Sequence, residues 1–317
     1  MAAPTPVSAL VHSSTLVTAG VFLLIRFYPF LNTCAFFRPT LLFISVLTLL
    51  IAGFGANYEN DLKKIIALST LSQLGVIIIS LGMAMPYLAL FHLYTHALFK
   101  ALLFLCAGAI IHNRSNAQDI RIIGIIYKQI PLTTTSINVA NLSLCGAPFL
   151  RGFYSKDLIL ELSLFDPTNF LIVLLIFVAT GMTAAYSLRL AFCSLWRNTK
   201  SQSYHSKQEK DPYINSSTLV LSFAAVAAGF FLQSIFINFN PQTFIIPTAL
   251  KLITIFVILS GLFFASTLWE EDFFPKKTNK IKFFLSTIWF LAPLSAQPLT
   301  KMSITLGTNL MKSIDQG

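Results

Sequence analysis

The chain has 317 residues, of which 55% are hydrophobic and only 11% are charged. Soluble domains usually carry about 25% charged residues, so this composition excludes an ordinary soluble globule and a disordered chain. The 22 Lys and Arg residues outnumber the 12 Asp and Glu residues, which gives a formal net charge of +10. Because the apolar runs are long, we attribute this excess to membrane topology rather than to nucleic-acid binding.

Long stretches without charged residues predict about eight membrane-spanning helices, since a bilayer core needs about 20 apolar residues. The run 65–99 must fold back on itself, most naturally at Met85-Pro86. Residues 281–300 contain Pro293 and Pro298 and are expected to lie in the membrane interface. The predicted spans are residues 8–26, 40–57, 65–85, 87–112, 133–163, 168–196, 216–237 and 247–269.

The loops between these spans differ strongly in charge. Thirteen Lys and Arg residues fall on one side of the membrane, and only Arg26 and Arg38 fall on the other. This asymmetry favours eight spans in a chain that enters from the positive side. The first six residues lack a basic signal-peptide region, and we expect both ends to be cuts through a longer protein. The thirteen cations are Lys63, Lys64, Arg114, Arg121, Lys128, Arg197, Lys200, Lys207, Lys210, Lys276, Lys277, Lys280 and Lys282.

Redox and nucleotide motifs are not found in the sequence. The cysteines at positions 34, 106, 145 and 193 are too far apart for a CxxC metal or iron–sulfur pattern. We therefore expect all four to be small packing residues. Gly53-Phe-Gly55 lacks the third glycine of a dinucleotide motif and lies within a predicted span.

Three titratable residues, His92, His96 and Lys100, follow one another at four-residue intervals. On a helix this spacing places them on one face over about 12 Å. A charge at the bilayer centre costs about 2.5–3.5 kcal/mol, so such residues usually face protein or water and have a function. We predict a proton relay centred on Lys100. The alternative is two core histidines bonded to backbone carbonyls and a lysine that reaches towards the interface.

A second group of residues predicts a broken helix. Gly146, Pro148 and Gly152 lie within seven residues of one another in the span 133–163, and Lys156 follows directly. Interrupted helices at membrane depth are tolerated only beside protein or water, where their free ends serve transport sites. The alternative is a loop between two re-entrant helices, with Lys156 paired to Asp157 or Glu161.

Single charged or titratable residues occur in other spans. His12 is surrounded by small and hydroxyl residues, which suits a hydrated pocket and close helix packing equally well. Arg189 and Lys251 lie near the ends of their spans, so we expect both to extend their charged groups to the interface.

Several of these segments resemble one known family. They are residues 1–20, residues 61–75, the segment 92–100 and Gly152-Phe-Tyr-Ser-Lys-Asp157. The sequence is similar to the antiporter-like chain 5 family of mitochondrial NADH:ubiquinone oxidoreductase (respiratory complex I). The similarity is specific through residue 160 and looser beyond, although residues 313–317 also resemble the family.

The resemblance implies an all-α polytopic membrane protein. Its fold would be an antiporter-like helix bundle with a broken transmembrane helix, about eight spans and an interfacial C-terminal segment. The implied divisions are residues 1–39 (last helix of a first inverted repeat), 40–197 (second five-helix repeat), 198–280 (two further helices) and 281–317 (a segment leading to a lateral helix). Most of the first repeat, with the family's glutamate–lysine pair, has no counterpart in this sequence.

The resemblance also implies a function and a location. The proton path would comprise His12, His92, His96, Lys100, Lys156 and Asp157. The chain would carry no cofactor, while other subunits of the complex hold NADH, flavin, iron–sulfur clusters and ubiquinone. Its partners would be other membrane-arm subunits, including the antiporter-like chain 4, and the lipid of the mitochondrial inner membrane, with no nucleic acid.

Two alternative functions stay open from the residues alone. A subunit of a free-standing cation/proton antiporter would use the same lysines. A structural membrane subunit would use its buried charges only to fix the register of its helices. A haem- or quinone-binding redox protein would need a motif that we do not find.

Overall fold

The computed structural model describes residues 4–114, 116–165, 170–197, 211–239, 247–273 and 280–315. Nearly all of these residues are helical, and several helices contain π-helical turns. The helices are α1 (Thr5–Val7), α2 (Leu16–Leu31), α3 (Phe37–Tyr58), α4 (Leu62–Gly82), α5 (Pro86–Asn113), α6 (Pro131–Cys145), α7 (Leu158–Ser163), α8 (Phe170–Ala191), α9 (Pro212–Phe239), α10 (Thr248–Phe273), α11 (Lys280–Ser286) and α12 (Leu291–Leu310). π-helical segments join α1 to α2 (Ser8–Thr15), precede α7 (Phe153–Asp157), and extend α8 (Phe192–Trp196) and α12 (Met311–Asp315).

Six described helical segments are long and apolar enough to cross a membrane. They are Ser8–Leu31, Phe37–Tyr58, Leu62–Gly82, Pro86–Asn113, Phe170–Trp196 and Pro212–Ile235. The two remaining predicted spans correspond to the broken helix formed by α6 and α7 and to α10, whose apolar part is Lys251–Thr267. The helices α11 and α12 are not among the six, and the interfacial position of residues 281–300 stays a prediction.

The predicted reversal within the run 65–99 is confirmed. Helix α4 ends at Gly82 and α5 begins at Pro86. Pro86 is at the first position of α5, where its missing N–H leaves no helical hydrogen bond unmade. Ala84 makes the turn with a φ of 63°.

The interior of the bundle lies where α3, α4, α5 and α8 meet. Helix α4 packs along α3 and α5, α8 packs against α3 and α10, and α5 also contacts α6 and α9. Ile65, Phe99 and Tyr186 come from three different helices and belong to one buried cluster. Helix α4 is buried around most of its surface, so its polar residues must find partners inside the protein.

Three of the predicted positive loops lie together at one end of the bundle. The Leu62 N–H donates to the Gln118 carbonyl at 2.9 Å, and the Ile125 N–H donates to the Arg197 carbonyl at 2.8 Å. The first bond joins the loop after α3 to the loop after α5, and the second joins the loop after α5 to the end of the segment that follows α8. The charge pattern predicts that these loops lie on one side of the membrane. Five of the thirteen cations, Lys200, Lys207, Lys210, Lys276 and Lys277, lie outside the described residues.

The prediction that Arg189 extends to the interface is wrong. Its side chain is buried, and its guanidinium binds the loop between α3 and α4. Nη1 donates to the carbonyls of Asn57 at 2.6 Å and Glu59 at 2.7 Å, and Nη2 donates to Asn60 Oδ1 at 2.9 Å. The carbonyls at the end of α3 have no partner within the helix, and the planar guanidinium satisfies them. Lys251, in contrast, is exposed as expected.

The cysteines are only partly as predicted. Cys106, Cys145 and Cys193 are buried packing residues, whereas Cys34 is exposed. Cys34 lies in the short turn between α2 and α3.

We expect Arg189→Gln to destabilise the protein by about 3 kcal/mol or more, because buried acceptors would lose charged hydrogen bonds. The thermal unfolding midpoint of the detergent-solubilised protein measures this effect. Arg26→Gln, which changes an exposed arginine, is the matched control. Equal midpoints for the two variants would contradict a structural role for the Arg189 contacts.

Candidate functional site

The residues of the predicted relay lie in the middle of α5 and face the protein interior. His92 is 1% exposed, and His96 and Lys100 are each 0% exposed. Their four-residue spacing keeps them on one side of α5, as predicted. A lysine this deep cannot extend its ammonium to water, so the alternative of an interfacial Lys100 is excluded by the geometry.

Lys100 finds a hydroxyl partner on α4 instead of a carboxylate. Its Nζ donates to Ser69 Oγ at 2.5 Å, and the Ser69 hydroxyl donates in turn to the Ile66 carbonyl at 2.6 Å. The Nζ atom also lies 5.8 Å from the centroid of the Phe99 ring. Lys100 is therefore held by neutral groups, a hydroxyl and an aromatic ring.

His92 connects α4 to the broken helix. Its Nε2 lies 3.3 Å from Gln73 Oε1, and its Nδ1 lies 2.9 Å from Ser155 Oγ. Because an amide oxygen only accepts hydrogen bonds, Nε2 carries the ring hydrogen and Nδ1 accepts from the Ser155 hydroxyl. Thr95 completes this group, since its Oγ1 lies 3.1 Å from Ser155 Oγ.

His96 differs from its two neighbours on α5. Neither of its ring nitrogens has a hydrogen-bond partner among the described residues. Its ring packs edge-on against Phe99, with the centroids 5.6 Å apart. The four-residue spacing alone therefore does not give an unbroken hydrogen-bond chain from Lys100 through His96 to His92.

The predicted broken helix is confirmed. Helix α6 ends at Cys145, and Gly146 follows with a φ of 89°, a conformation in which glycine carries no steric penalty. Helical structure resumes at residue 151 and continues to Ser163. A Cβ atom built on Gly152 would lie only 1.7 Å from the Ser143 carbonyl oxygen, so the two halves pack backbone to backbone.

The break places Lys156 beside the free end of α6. Its Nζ donates to Thr183 Oγ1 at 2.8 Å and to the Leu144 carbonyl at 3.3 Å. Carbonyls at a helix C-terminus lack helical partners and carry partial negative charge, so they favour the ammonium form. Lys156 is 1% exposed and faces the interior, as the sequence predicts.

The acidic neighbours of Lys156 do not form salt bridges with it. Within the described ranges, the pairs with N–O distances up to 4.0 Å are Lys64–Asp61 and Arg121–Asp119. Asp157 is 2% exposed, and its two carboxylate oxygens have no hydrogen-bond partner among the described groups. The alternative in which Lys156 pairs with Asp157 or Glu161 is thus not the arrangement found.

Two further residues bear on the predicted site. His12 belongs to the π-helical segment Ser8–Thr15, but its side chain lies outside the described part of the structure. Arg151 is 0% exposed, and its three guanidinium nitrogens have no hydrogen-bond partner in the described ranges.

Sequence reasoning missed the hydroxyl and amide groups that surround the predicted cations. They have no charge and are common in membrane helices, so they gave no signal singly. Ser69, Ser72 and Gln73 do share one face of α4 at three- and four-residue spacing, and this stripe could have been noticed. Ser155 lies next to Lys156 in sequence, whereas Thr183 and Tyr186 belong to α8, which is distant in sequence.

This arrangement suits proton transfer better than the making and breaking of covalent bonds in a substrate. It contains two buried amines, imidazole rings and rotatable hydroxyls, all of which can accept and release protons. In the described part of the chain, no group of three or more His, Cys, Asp or Glu residues is placed to hold a metal ion.

We expect Gly152→Ala to displace residues 151–163 and the Lys156 amine with them, because the new methyl group would meet a backbone carbonyl. The cost should be about 1–3 kcal/mol or more, measured as a lower thermal unfolding midpoint of the detergent-solubilised protein. The control is Gly55→Ala, whose added Cβ would meet Leu68 Cδ1 at an ordinary 3.5 Å. If both variants match the parent in unfolding midpoint, the close packing at Gly152 does not matter.

Comparisons with known proteins agree with this geometry. Residues 1–183 match the family model described as NADH:quinone oxidoreductase/Mrp antiporter, TM, and residues 186–317 match the model described as NADH dehydrogenase subunit 5 C-terminus. The solved structure of an Mrp complex from Dietzia is similar in fold, with a TM-score of 0.77 and 24% identity. That match covers 97% of this chain and 34% of the other.

Curated relatives are more similar in sequence. NADH-ubiquinone oxidoreductase chain 5 of Lumbricus terrestris is 46% identical, over all of this chain and 56% of the relative. The protein of the same name from Aedes aegypti is 47% identical, over all of this chain and 55% of the relative. The chain spans about half the length of these relatives.

Proposed function

Because the chain belongs to the NADH:quinone oxidoreductase/Mrp antiporter transmembrane family, we propose that it is a proton-translocating membrane-arm subunit of NADH:ubiquinone oxidoreductase. It would carry part of a proton path through buried His and Lys side chains. The names of the curated relatives and the C-terminal family match support this enzyme. Because the chain spans about half the length of these relatives, it would supply about half of such a path.

One observation carries the proposal. Lys100 and Lys156 are both buried, each donates to a hydroxyl, and neither has a carboxylate partner among the described residues. His92 on the helix of Lys100 and Ser155, which directly precedes Lys156, are hydrogen-bonded to each other at 2.9 Å. Lysines held only to fix helix register would more commonly be neutralised by a carboxylate.

The path would operate by changes of protonation at fixed positions. The Lys100 amine would release its proton, and His92 would pass a proton by accepting at one ring nitrogen while releasing from the other. Ser155 would then connect the ring to Lys156. Moving one charge through 100 mV involves about 2.3 kcal/mol. His12, His96 and Asp157 would complete the path, the last two as buried groups that have no hydrogen-bond partner within the described ranges.

The assembly and location are parts of the same proposal. The chain would lie in the mitochondrial inner membrane beside other membrane-arm subunits, including the antiporter-like chain 4, with its positive loops facing the matrix. Residues 40–197 would form the second inverted repeat, after the last helix of the first. NADH, flavin, iron–sulfur clusters and ubiquinone would be bound by other subunits.

The second candidate is a subunit of a cation/proton antiporter, which the fold shared with the Mrp complex favours. Both functions would use the same lysines, so variants cannot separate them. Purification of the intact complex through this chain does so. Rotenone-sensitive ubiquinone reduction by NADH in the purified complex supports the redox enzyme, whereas sodium/proton exchange without NADH supports the antiporter.

We expect Lys100→Ala to abolish most proton pumping in the full complex and to slow electron transfer coupled to it, while assembly is largely preserved. Lys100→Arg should also impair pumping, because a guanidinium does not release its proton. The measurements are the amount of assembled complex and the ratio of protons pumped to electrons transferred. Lys301→Ala, at an exposed position on α12, serves as the control.

A purely structural lysine predicts the opposite pattern. Arginine would then be tolerated, because it retains the charge, and alanine would fail through loss of assembly. A Lys100→Arg complex that pumps at the normal ratio would rule out a switching role for Lys100.

A further inference from the structure

A second line of polar groups, which does not include His92, runs between the two buried lysines. It lies between α4 and α8. Tyr186 on α8 is 2% exposed, and its hydroxyl lies 3.1 Å from Ser72 Oγ on α4. A buried tyrosine hydroxyl needs a polar partner, and Ser72 provides it. The Tyr186 hydroxyl also lies on the line of polar groups that joins the two lysines.

The α4 end of this line reaches Lys100. The Ser72 hydroxyl donates to the Ser69 carbonyl at 3.0 Å, and Ser69 Oγ accepts from Lys100 Nζ at 2.5 Å. Ser72 therefore uses its own hydrogen within α4 and accepts from Tyr186. Ser69 and Ser72 are three residues apart, so their hydroxyls occupy one face of the helix.

The α8 end of the line reaches Lys156. Thr183 lies three residues before Tyr186 on the same helical face, and its Oγ1 accepts from Lys156 Nζ at 2.8 Å. The order of groups is thus Lys100, Ser69, Ser72, Tyr186, Thr183, Lys156. The Tyr186 hydroxyl also lies beside the Gln73 amide, whose Oε1 is 3.3 Å from His92 Nε2. The two routes therefore touch at Gln73 and are otherwise built from different groups, apart from the two lysines at the ends.

We propose that the Tyr186 hydroxyl, held by Ser72, is a proton-relay group that joins Lys100 to Lys156 by a route that does not pass through the His92 ring. This inference rests on the proposed function. In each transfer Tyr186 gives its hydroxyl proton to one neighbour and receives a proton from the other, so the residue ends neutral and unchanged. Lys100 Nζ loses one proton and Lys156 Nζ gains one.

Two steps of this route are longer than one hydrogen bond. Ser69 and Ser72, and likewise Tyr186 and Thr183, are one helical turn apart, which is about 5 Å. That separation fits a single bridging water between hydroxyl groups. The Ser72–Tyr186 contact, which crosses from one helix to the other, is direct. Tyr186 is therefore the group on which the crossing depends.

The test compares Tyr186→Phe, His92→Ala and the double variant in the complete complex, with assembly and the proton-to-electron ratio measured for each. Two parallel routes predict about a twofold loss in the pumping rate for each single variant. The double variant should lose much more than the product of the single losses. Tyr213→Phe, which removes the same oxygen at an 87% exposed position, controls for the chemical change.

Normal pumping by Tyr186→Phe, both alone and with His92→Ala, would overturn the inference. Complete loss from Tyr186→Phe alone would also overturn it, because the route would then not be separate. If Tyr186→Phe does not assemble, Ser72→Ala and Ser72→Thr decide. Ser72→Ala should reproduce the loss of pumping, whereas Ser72→Thr, which keeps a hydroxyl, should pump normally. Equal pumping by the two variants overturns the inference.

Failure of this inference differs from failure of the proposed function. If Lys100→Ala pumps normally, the proposed function is wrong and the second route with it. If Lys100→Ala abolishes pumping while both Tyr186→Phe and Ser72→Ala pump normally in every background, only the second route is wrong.

Discussion

The close contact between Gly152 and the Ser143 carbonyl is the constraint on which the polar interior depends. It holds the second half of the broken helix against the end of α6, where backbone carbonyls have no helical partners. Lys156 occupies that position and bonds one of those carbonyls. A continuous helix would satisfy the same carbonyls internally and leave the ammonium without them. The break therefore provides a partially negative environment at membrane depth without a carboxylate.

Each of the two buried amines donates a hydrogen bond to a hydroxyl group. Ser69 binds Lys100 and Thr183 binds Lys156, and both hydroxyls belong to helices packed inside the bundle. A carboxylate partner would stabilise the charged lysine strongly and hold it in that state. A neutral hydroxyl accepts the hydrogen bond of the amine but favours neither the charged nor the neutral form of the lysine as strongly. This choice of partner distinguishes a group that can change protonation from one that only fixes the position of a helix.

The end of the bundle that bears the positive loops is held differently. There, Arg189 binds backbone carbonyls of the loop after α3 through a planar fork of donors. A guanidinium stays charged in any protein environment, so this contact is permanent. Arg189 thus holds the loops at that end, whereas Lys100, Lys156 and the guanidinium of Arg151 are buried within the bundle.

Much of this arrangement follows from the sequence by local physics. Apolar run length sets the number of spans, because each span must cross a bilayer of fixed thickness. The reversal at Met85-Pro86 and the break between Gly146 and Gly152 follow from residues that end helices wherever they occur. The positions of His92 and Lys100 on one face follow from helical periodicity alone. None of these conclusions needs to specify which helices touch.

The partners of the buried groups depend on which helices touch, and only the tertiary structure decided them. The sequence placed His96 in a continuous relay, but packing turned its ring against Phe99. Arg189 lies near the end of its helix, as a residue that reaches the interface would, but the loop that it binds lies about 130 residues away in the chain. Thr183 and Tyr186 are ordinary residues of an apolar helix until α8 packs beside Lys156 and α4. Local sequence fixes where a helix begins, ends and carries its charges, whereas a hydrogen bond between helices requires two distant segments to meet.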